Sequence, residues 1–237
     1  MQDTLRITTG EGSFSAYVAR PASAGTGATA PAIVVIHEVF GVNADMRQSC
    51  DELAAQGYLA ICPDLFWRIE PGIDMTDRTE AELAKAMALY NAFDLDAGVR
   101  DIGAAIATAR ALPESNHRVG LVGYCLGGLM SYLTTARAAA DAAVAYYPGN
   151  ADKHLEEAGG IGSPLMVHLA EEDEYIPPDA RRQIVAALGK SPQVQLHSYP
   201  RCRHAFARHR GTAYDARAAG LANGRTQAFL AQHLKSG

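Results

Sequence analysis

Val119-Gly120-Leu121-Val122-Gly123-Tyr124-Cys125-Leu126-Gly127-Gly128 is the stretch on which the reading of this chain turns. An apolar run of strand character ends at Val122, and Gly-x-Cys-x-Gly then leads directly into a helical pattern over 126–138. A strand-to-helix junction this short requires glycine on either side of its central residue. It presents that residue's side chain at the first turn of a helix, where backbone N–H groups and the helix dipole favour a thiolate. Residue type and position together point to acyl transfer through a thioester, with Cys125 as the nucleophile.

Outward from this junction, short β-branched runs alternate with helical stretches, the pattern of a parallel sheet covered by helices on both faces. Strands are expected at 13–19, 32–37, 58–62, 118–122, 142–147, 165–170 and 194–199. The run Ala32-Ile33-Val34-Val35-Ile36 is continuously apolar, as a central strand buried on both faces should be. Helices are expected at 44–56, 79–91, 96–111, 126–138, 178–188 and 212–233. Gly57 suits a C-cap, and Thr79 followed by Glu80 and Glu82 suits an N-terminus. The fold class is therefore α/β. With no Pro/Gly/Ser-rich linker and no internal repeat, residues 1–237 are expected to form one domain.

Bulk properties narrow the function. A chain of 237 residues, 48% hydrophobic and 20% charged, can bury one sizeable core. Its net charge of -5 argues against nucleic acid or an anionic membrane as a partner. No apolar stretch is long enough to span a bilayer. Met1-Gln2-Asp3-Thr4-Leu5-Arg6 lacks the basic-then-apolar pattern of a signal peptide, so the expected location is the cytoplasm. Cys50, Cys62, Cys125 and Cys202 are too widely spaced for a zinc site, and a disulfide framework is not expected at this size. A reducing compartment suits them, and a thiol nucleophile requires one.

In open α/β sheets, chemistry gathers beyond the carboxyl ends of the strands. His37-Glu38-Val39-Phe40-Gly41 follows one expected strand and Cys125 another. Glu171-Glu172-Asp173-Glu174 follows a third, and His204 follows the last. Nucleophile, acid and histidine thus occur in the chain order of a hydrolase triad, each after its own strand. Among eight histidines, His204 is preferred to His197, which lies within a strand, and to His209. Its imidazole would take the Cys125 proton, and Asp173 would orient it. Asp173 is preferred to its glutamate neighbours on its register against Tyr175-Ile176-Pro177. The oxyanion needs two preorganised donors, assigned here to the amides of Leu126 and Val39. Glu38, beside apolar neighbours, is a candidate second base controlling thiol ionisation.

These motifs resemble the dienelactone hydrolase family (carboxymethylenebutenolidases). The likeness runs through His37-Glu38-Val39-Phe40-Gly41-Val42-Asn43, Cys62-Pro63-Asp64-Leu65, Ala92-Phe93-Asp94, the elbow, Tyr146-Tyr147, Asp173 and His204-Ala205-Phe206-Ala207-Arg208. It implies an α/β-hydrolase fold without a large cap, no cofactor or metal, and a monomer. The implied partner is a small lactone or ester substrate, with dienelactone opened to maleylacetate in aromatic-compound degradation. It also implies that Glu38 helps form the thiolate and that Arg208 contacts both this glutamate and a substrate carboxylate. Phe40, Trp67 and Tyr147 are candidate walls for a flat lactone. One position departs from the family pattern: Leu83 stands where a carboxylate-binding arginine is expected, with Arg78 and Lys85 nearby. Leucine cannot replace a bidentate arginine. Either Arg78 substitutes for it, or the substrate is less acidic and the chain is a broader carboxylesterase. A thiol redox protein or a purely structural role would leave the complete triad unexplained.

Overall fold

A computed structural model describes residues 4–25, 27–138 and 140–235. Its strands are β1 (Thr4–Thr9), β2 (Gly12–Ala19), β3 (Ala30–Ile36), β4 (Leu59–Pro63), β5 (Ser115–Tyr124), β6 (Ala142–Tyr146), β7 (Leu165–Ala170) and β8 (Val194–Tyr199). The α-helices are α1 (Ala44–Ala55), α2 (Glu80–Ala92), α3 (Leu95–Ala111), α4 (Leu126–Arg137), α5 (Pro178–Leu188) and α6 (Ala216–Leu234). A 3-10 helix covers Ala151–Gly160. The strands form a mostly parallel sheet in the order β1-β2-β4-β3-β5-β6-β7-β8. The β1/β2 and β2/β4 pairs are antiparallel, whereas β3/β4, β6/β7 and β7/β8 are parallel.

The chain divides into two compact units between Leu121 and Val122, inside β5. In the first unit every residue of β3 and β4 is buried, and α1 and α3 pack on them. In the second, β6 and β7 are buried along their whole length, with α4 against β6 and α6 against both. Such runs bury apolar side chains on both faces, which is why they are continuous rather than alternating. Each fully buried Val, Leu or Met contributes roughly 1.5–3 kcal/mol relative to exposure, and this anchors the loops that leave the strand ends.

Helix starts follow side-chain caps. Asn43 accepts from Met46 N, Thr79 from Glu82 N, Asp94 from Ala97 N and Asp215 from Ala218 N. The Asp215 cap explains one difference from the expected elements: α6 starts at Ala216 rather than at 212. The sequence pattern also omits β1 and the 3-10 helix. In β1 only Ile7 is buried, so the alternation of Leu5 and Ile7 with exposed Thr4, Arg6 and Thr8 marks a single core position, too little to register. The 3-10 helix is kinked at His154 into two short turns, too short to register as periodic. The remaining strands and helices lie within a few residues of expectation, β7, α5 and β8 with the same boundaries.

Candidate active site

Cys125 lies alone between β5 and α4, with φ +54° and ψ −112°. Positive φ is costly for a residue with a β-carbon and persists only where the surroundings enforce it. Here the enforcement is steric. A Cβ on Gly123 would collide with Gly127 O and Ser131 Oγ, and one on Gly128 would collide with Tyr146 O. Cys125 N donates to Tyr146 O at 3.0 Å, and Cys125 O accepts from Leu129 N at 3.0 Å. Leu126, the candidate oxyanion donor, opens α4, and the first amides of a helix have no intrahelical acceptor. Cys125 is partly exposed, while Cys50, Cys62 and Cys202 are buried thiols.

The same unit brings His204 and Asp173 together. His204 Nδ1 lies 2.9 Å from each Asp173 carboxylate oxygen, so the ring donates from Nδ1 to an acceptor-only group. Asp173 Oδ1 is held in turn by the amides of Tyr175 (2.9 Å) and Ile176 (3.1 Å). Neighbouring Glu174 accepts from His204 N at 3.1 Å and pairs with Arg203 at 2.7 Å, fixing the two loops to each other. Edge-on rings flank the imidazole: Tyr147 at 5.0 Å and Tyr175 at 4.8 Å between centroids.

Burial opposes charge on His204, but attraction and hydrogen bonding to the Cys125 sulfur and the Asp173 carboxylate outweigh it and push its pKa up to about 10. Nε2 makes no side-chain hydrogen bond of standard geometry, although Cys125 is close enough to act on the ring. Thiol hydrogen bonds are weak and loosely directed, so the two groups interact without strict alignment. At neutral pH the thiol–imidazole pair therefore retains a proton that can be passed to a leaving group. A stability consequence follows. A histidine raised above its unfolded value stabilises the fold fully below about 6.5, and that contribution disappears as pH rises through about 10. Urea unfolding should show the advantage of wild type over His204→Gln shrinking across this window, by up to about 1.4 kcal/mol per pH unit. A constant difference would contradict the charged ring.

Tyr147 is fully buried at φ +38°, and its amide donates to His168 O at 2.8 Å. Arg208 is 8% exposed, and its amide closes the turn after His204 by donating to Ala205 O. Gly211 lies against the Arg208 stem, where a β-carbon would come within 2.9 Å.

In the first unit, Glu38, Val39 and Phe40 are all buried. Their loop is tied at several points. Met75 N donates to Phe40 O at 3.0 Å, and Asn43 Nδ2 to Met75 O at 2.9 Å. Gly41 sits at φ +75°, so close to Ile73 O that no side chain would fit. His37, to which sequence reasoning assigned no role, closes the loop: Nδ1 donates to Glu38 O at 2.6 Å while Nε2 accepts from Leu65 N at 3.1 Å. Burial lowers its pKa, in keeping with this neutral, two-way bond. A histidine ending an apolar strand was the available signal. Trp67 stacks on Phe14 at 5.4 Å, lies under the Arg68 guanidinium and donates to Asp101 at 2.8 Å, so packing and hydrogen bonding engage its ring. Arg78 is exposed just ahead of α2, and Leu83 on α2 is 39% exposed.

His154, Glu156 and Glu157 are close enough to share a metal ion, but Arg137 already pairs with Glu157. No helix among the described residues is long and apolar enough to cross a membrane.

The dienelactone hydrolase family profile matches residues 14–234. The chain belongs to the dienelactone hydrolase family. A protein of Azospirillum brasilense assigned as a carboxymethylenebutenolidase is 47% identical over 227 residues, covering 94% of this chain and 95% of that one. The carboxymethylenebutenolidase of Pseudomonas putida is 43% identical over 218 residues, covering 92% and 91%. A Klebsiella pneumoniae crystal structure assigned as a dienelactone hydrolase superposes with a TM-score of 0.85 at 26% identity, covering 98% of each chain. Family and fold together make this α/β-hydrolase a carboxylic ester or lactone hydrolase.

Proposed function

We propose that this chain opens enol lactones of the dienelactone type through a thioester on Cys125, within aromatic-compound degradation. The observation that carries the reading is the second unit's arrangement: a strained, partly exposed cysteine at a helix N-terminus beside a histidine anchored to a buried aspartate. The names of its relatives support the substrate class.

In this reading the Cys125 sulfur attacks the lactone carbonyl carbon, and its proton resides on His204. Negative charge developing on the carbonyl oxygen is received by the amides of Leu126 and Val39. The ring C–O bond then breaks, and the leaving enolate oxygen takes the proton from His204, which becomes neutral. Neutral His204 next deprotonates a water, which attacks the thioester and releases the acid and the thiol. Glu38 promotes thiolate formation once substrate is bound. Arg208, with Arg78 as a second cation, holds the substrate carboxylate, and Phe40, Tyr147 and Trp67 border the flat ring. A free thiol nucleophile suits a reducing compartment, and the cytoplasm is the proposed location.

A second reading keeps the chemistry and changes the substrate. Leu83 and Met87, one turn apart on α2, are 39% and 41% exposed, which offers an apolar surface where the family pattern expects an arginine. That favours less acidic activated esters. Steady-state hydrolysis of dienelactone beside a neutral enol ester of similar size separates the two. Dienelactone preference in wild type, with little gain in Leu83→Arg, supports the first. A neutral-ester preference that Leu83→Arg shifts toward dienelactone by about tenfold, the worth of one charge-assisted contact, supports the second. Activity on neither substrate would reject both.

A further inference from the structure

Six polar side chains on β6, β7, β8 and α6, none of them used in the proposed reaction, form one continuous hydrogen-bonded chain. Arg225 donates to Tyr199 Oη at 3.1 Å, and Tyr199 Oη lies 2.8 Å from His168 Nδ1. His168 Nε2 lies 3.0 Å from Thr226 Oγ1, which lies 2.7 Å from Tyr146 Oη. Tyr146 Oη in turn donates to Asn223 Oδ1 at 2.9 Å. His168 and Tyr146 are fully buried.

The two ends of this chain dictate where every proton sits. Arginine only donates, so Tyr199 accepts there and gives its one hydrogen to His168 Nδ1. At the other end, Asn223 Oδ1 only accepts, so Tyr146 gives its hydrogen to Asn223 and Thr226 gives its own to Tyr146. Thr226 is then an acceptor toward His168, whose proton must be on Nε2. Both ends lead to the same neutral tautomer.

We propose that this chain is a positioning network for the active site, with neutral His168 at its centre. The same two residues hold catalytic backbone through their carbonyls. Tyr146 O accepts the Cys125 amide at 3.0 Å, and His168 O accepts the Tyr147 amide at 2.8 Å. The Tyr146 ring stacks on Tyr124, next to the nucleophile, at 4.7 Å, and the Tyr147 ring abuts His204. Gly128 meets Tyr146 O so closely that a shift of β6 would displace the start of α4. Around His168 stand Tyr146 from β6, Tyr199 and His197 from β8, and Thr226 and Arg225 from α6. None of these is acidic, so a second proton on the ring would find no counter-charge. Burial accordingly holds its pKa well below the ordinary value.

The functional part of this proposal rests on the Cys125–His204–Asp173 reading, so the test has two parts. Ring nitrogen NMR on histidine-labelled wild type should find His168 protonated at Nε2, bare at Nδ1, and unchanged between about pH 5.5 and 8, where a free histidine titrates. An Nδ1-protonated ring, or one titrating at the usual position, would overturn the network. Thr226→Val cuts the chain at its middle with little change of volume. Its kcat on nitrophenyl acetate should fall about 10- to 100-fold with KM nearly unchanged, as expected when reacting groups are misplaced. Thr226→Ser should restore most of the rate. Full activity in Thr226→Val, or no rescue by serine, would remove the positioning role. An active Cys125→Ala enzyme with the His168 tautomer intact would instead tell against the triad.

Discussion

Alanine at position 125 will leave a folded protein that hydrolyses lactones and activated esters about 10⁴-fold or more slowly than wild type. In the proposed reaction Cys125 Sγ is the atom that forms the acyl bond. Without it His204 can only assist water, and what remains is binding and oxyanion stabilisation. Stability should move by less than about 1 kcal/mol, because the side chain is partly exposed and φ +54° is as costly for alanine as for cysteine. Near-UV circular dichroism and a thermal melt check the fold, and single-turnover kinetics check the chemistry. Cys125→Ser should also be slow, since His204 would have to deprotonate a far weaker acid. Residual Cys125→Ala activity above about one per cent would be incompatible with covalent catalysis here.

Asp173→Asn is the second large effect, and its origin is a misplaced proton. In the native loop the amides of Tyr175 and Ile176 both point at Oδ1. An asparagine would keep its carbonyl oxygen on those amides, which leaves its NH₂ facing His204 Nδ1. A donor there forces Nδ1 to accept and moves the ring proton to Nε2, the atom that must receive the cysteine proton. The geometry survives while the tautomer is wrong, and kcat should fall about 10³- to 10⁴-fold. The carboxylate support that keeps the His204 pKa high is lost as well. The pH-rate profile on nitrophenyl acetate should therefore change shape, not only height. An Asp173→Asn enzyme within about tenfold of wild type, with an unaltered profile, would show that another acid orients the histidine.

Much of this arrangement was legible before any coordinates. The buried runs of β3, β4, β6 and β7 are continuous because those strands are covered on both faces, so composition alone located them. Cys125 was legible because steric exclusion at Gly123 and Gly128 leaves only glycine there. Asp173 and His204 were legible because each lies in the loop that follows a strand, and the register against Tyr175 and Ile176 is the register that puts two amides on Oδ1. Other features left no such trace. The edge strand β1 buries a single residue, and α6 begins at a cap four residues later than its apolar pattern suggested. The contacts of Trp67 with Phe14 and Asp101, both far away in the chain, left no local signal either.

By itself, the sequence determined what depends on neighbours along the chain: which runs are strands, where the elbow turns, and that Cys125, Asp173 and His204 follow β5, β7 and β8 in that order. Glycine sterics, helix caps and apolar periodicity act over a few residues, so they are written locally. Only the tertiary structure decided which side chains share a proton. The tie from His37 to Leu65, the pairing of His204 with Asp173, and the chain from Arg225 through His168 to Asn223 join residues roughly 30 to 80 positions apart. A hydrogen bond depends on ångströms and angles between groups that sheet order and helix packing bring together, and no local pattern of residue types records those.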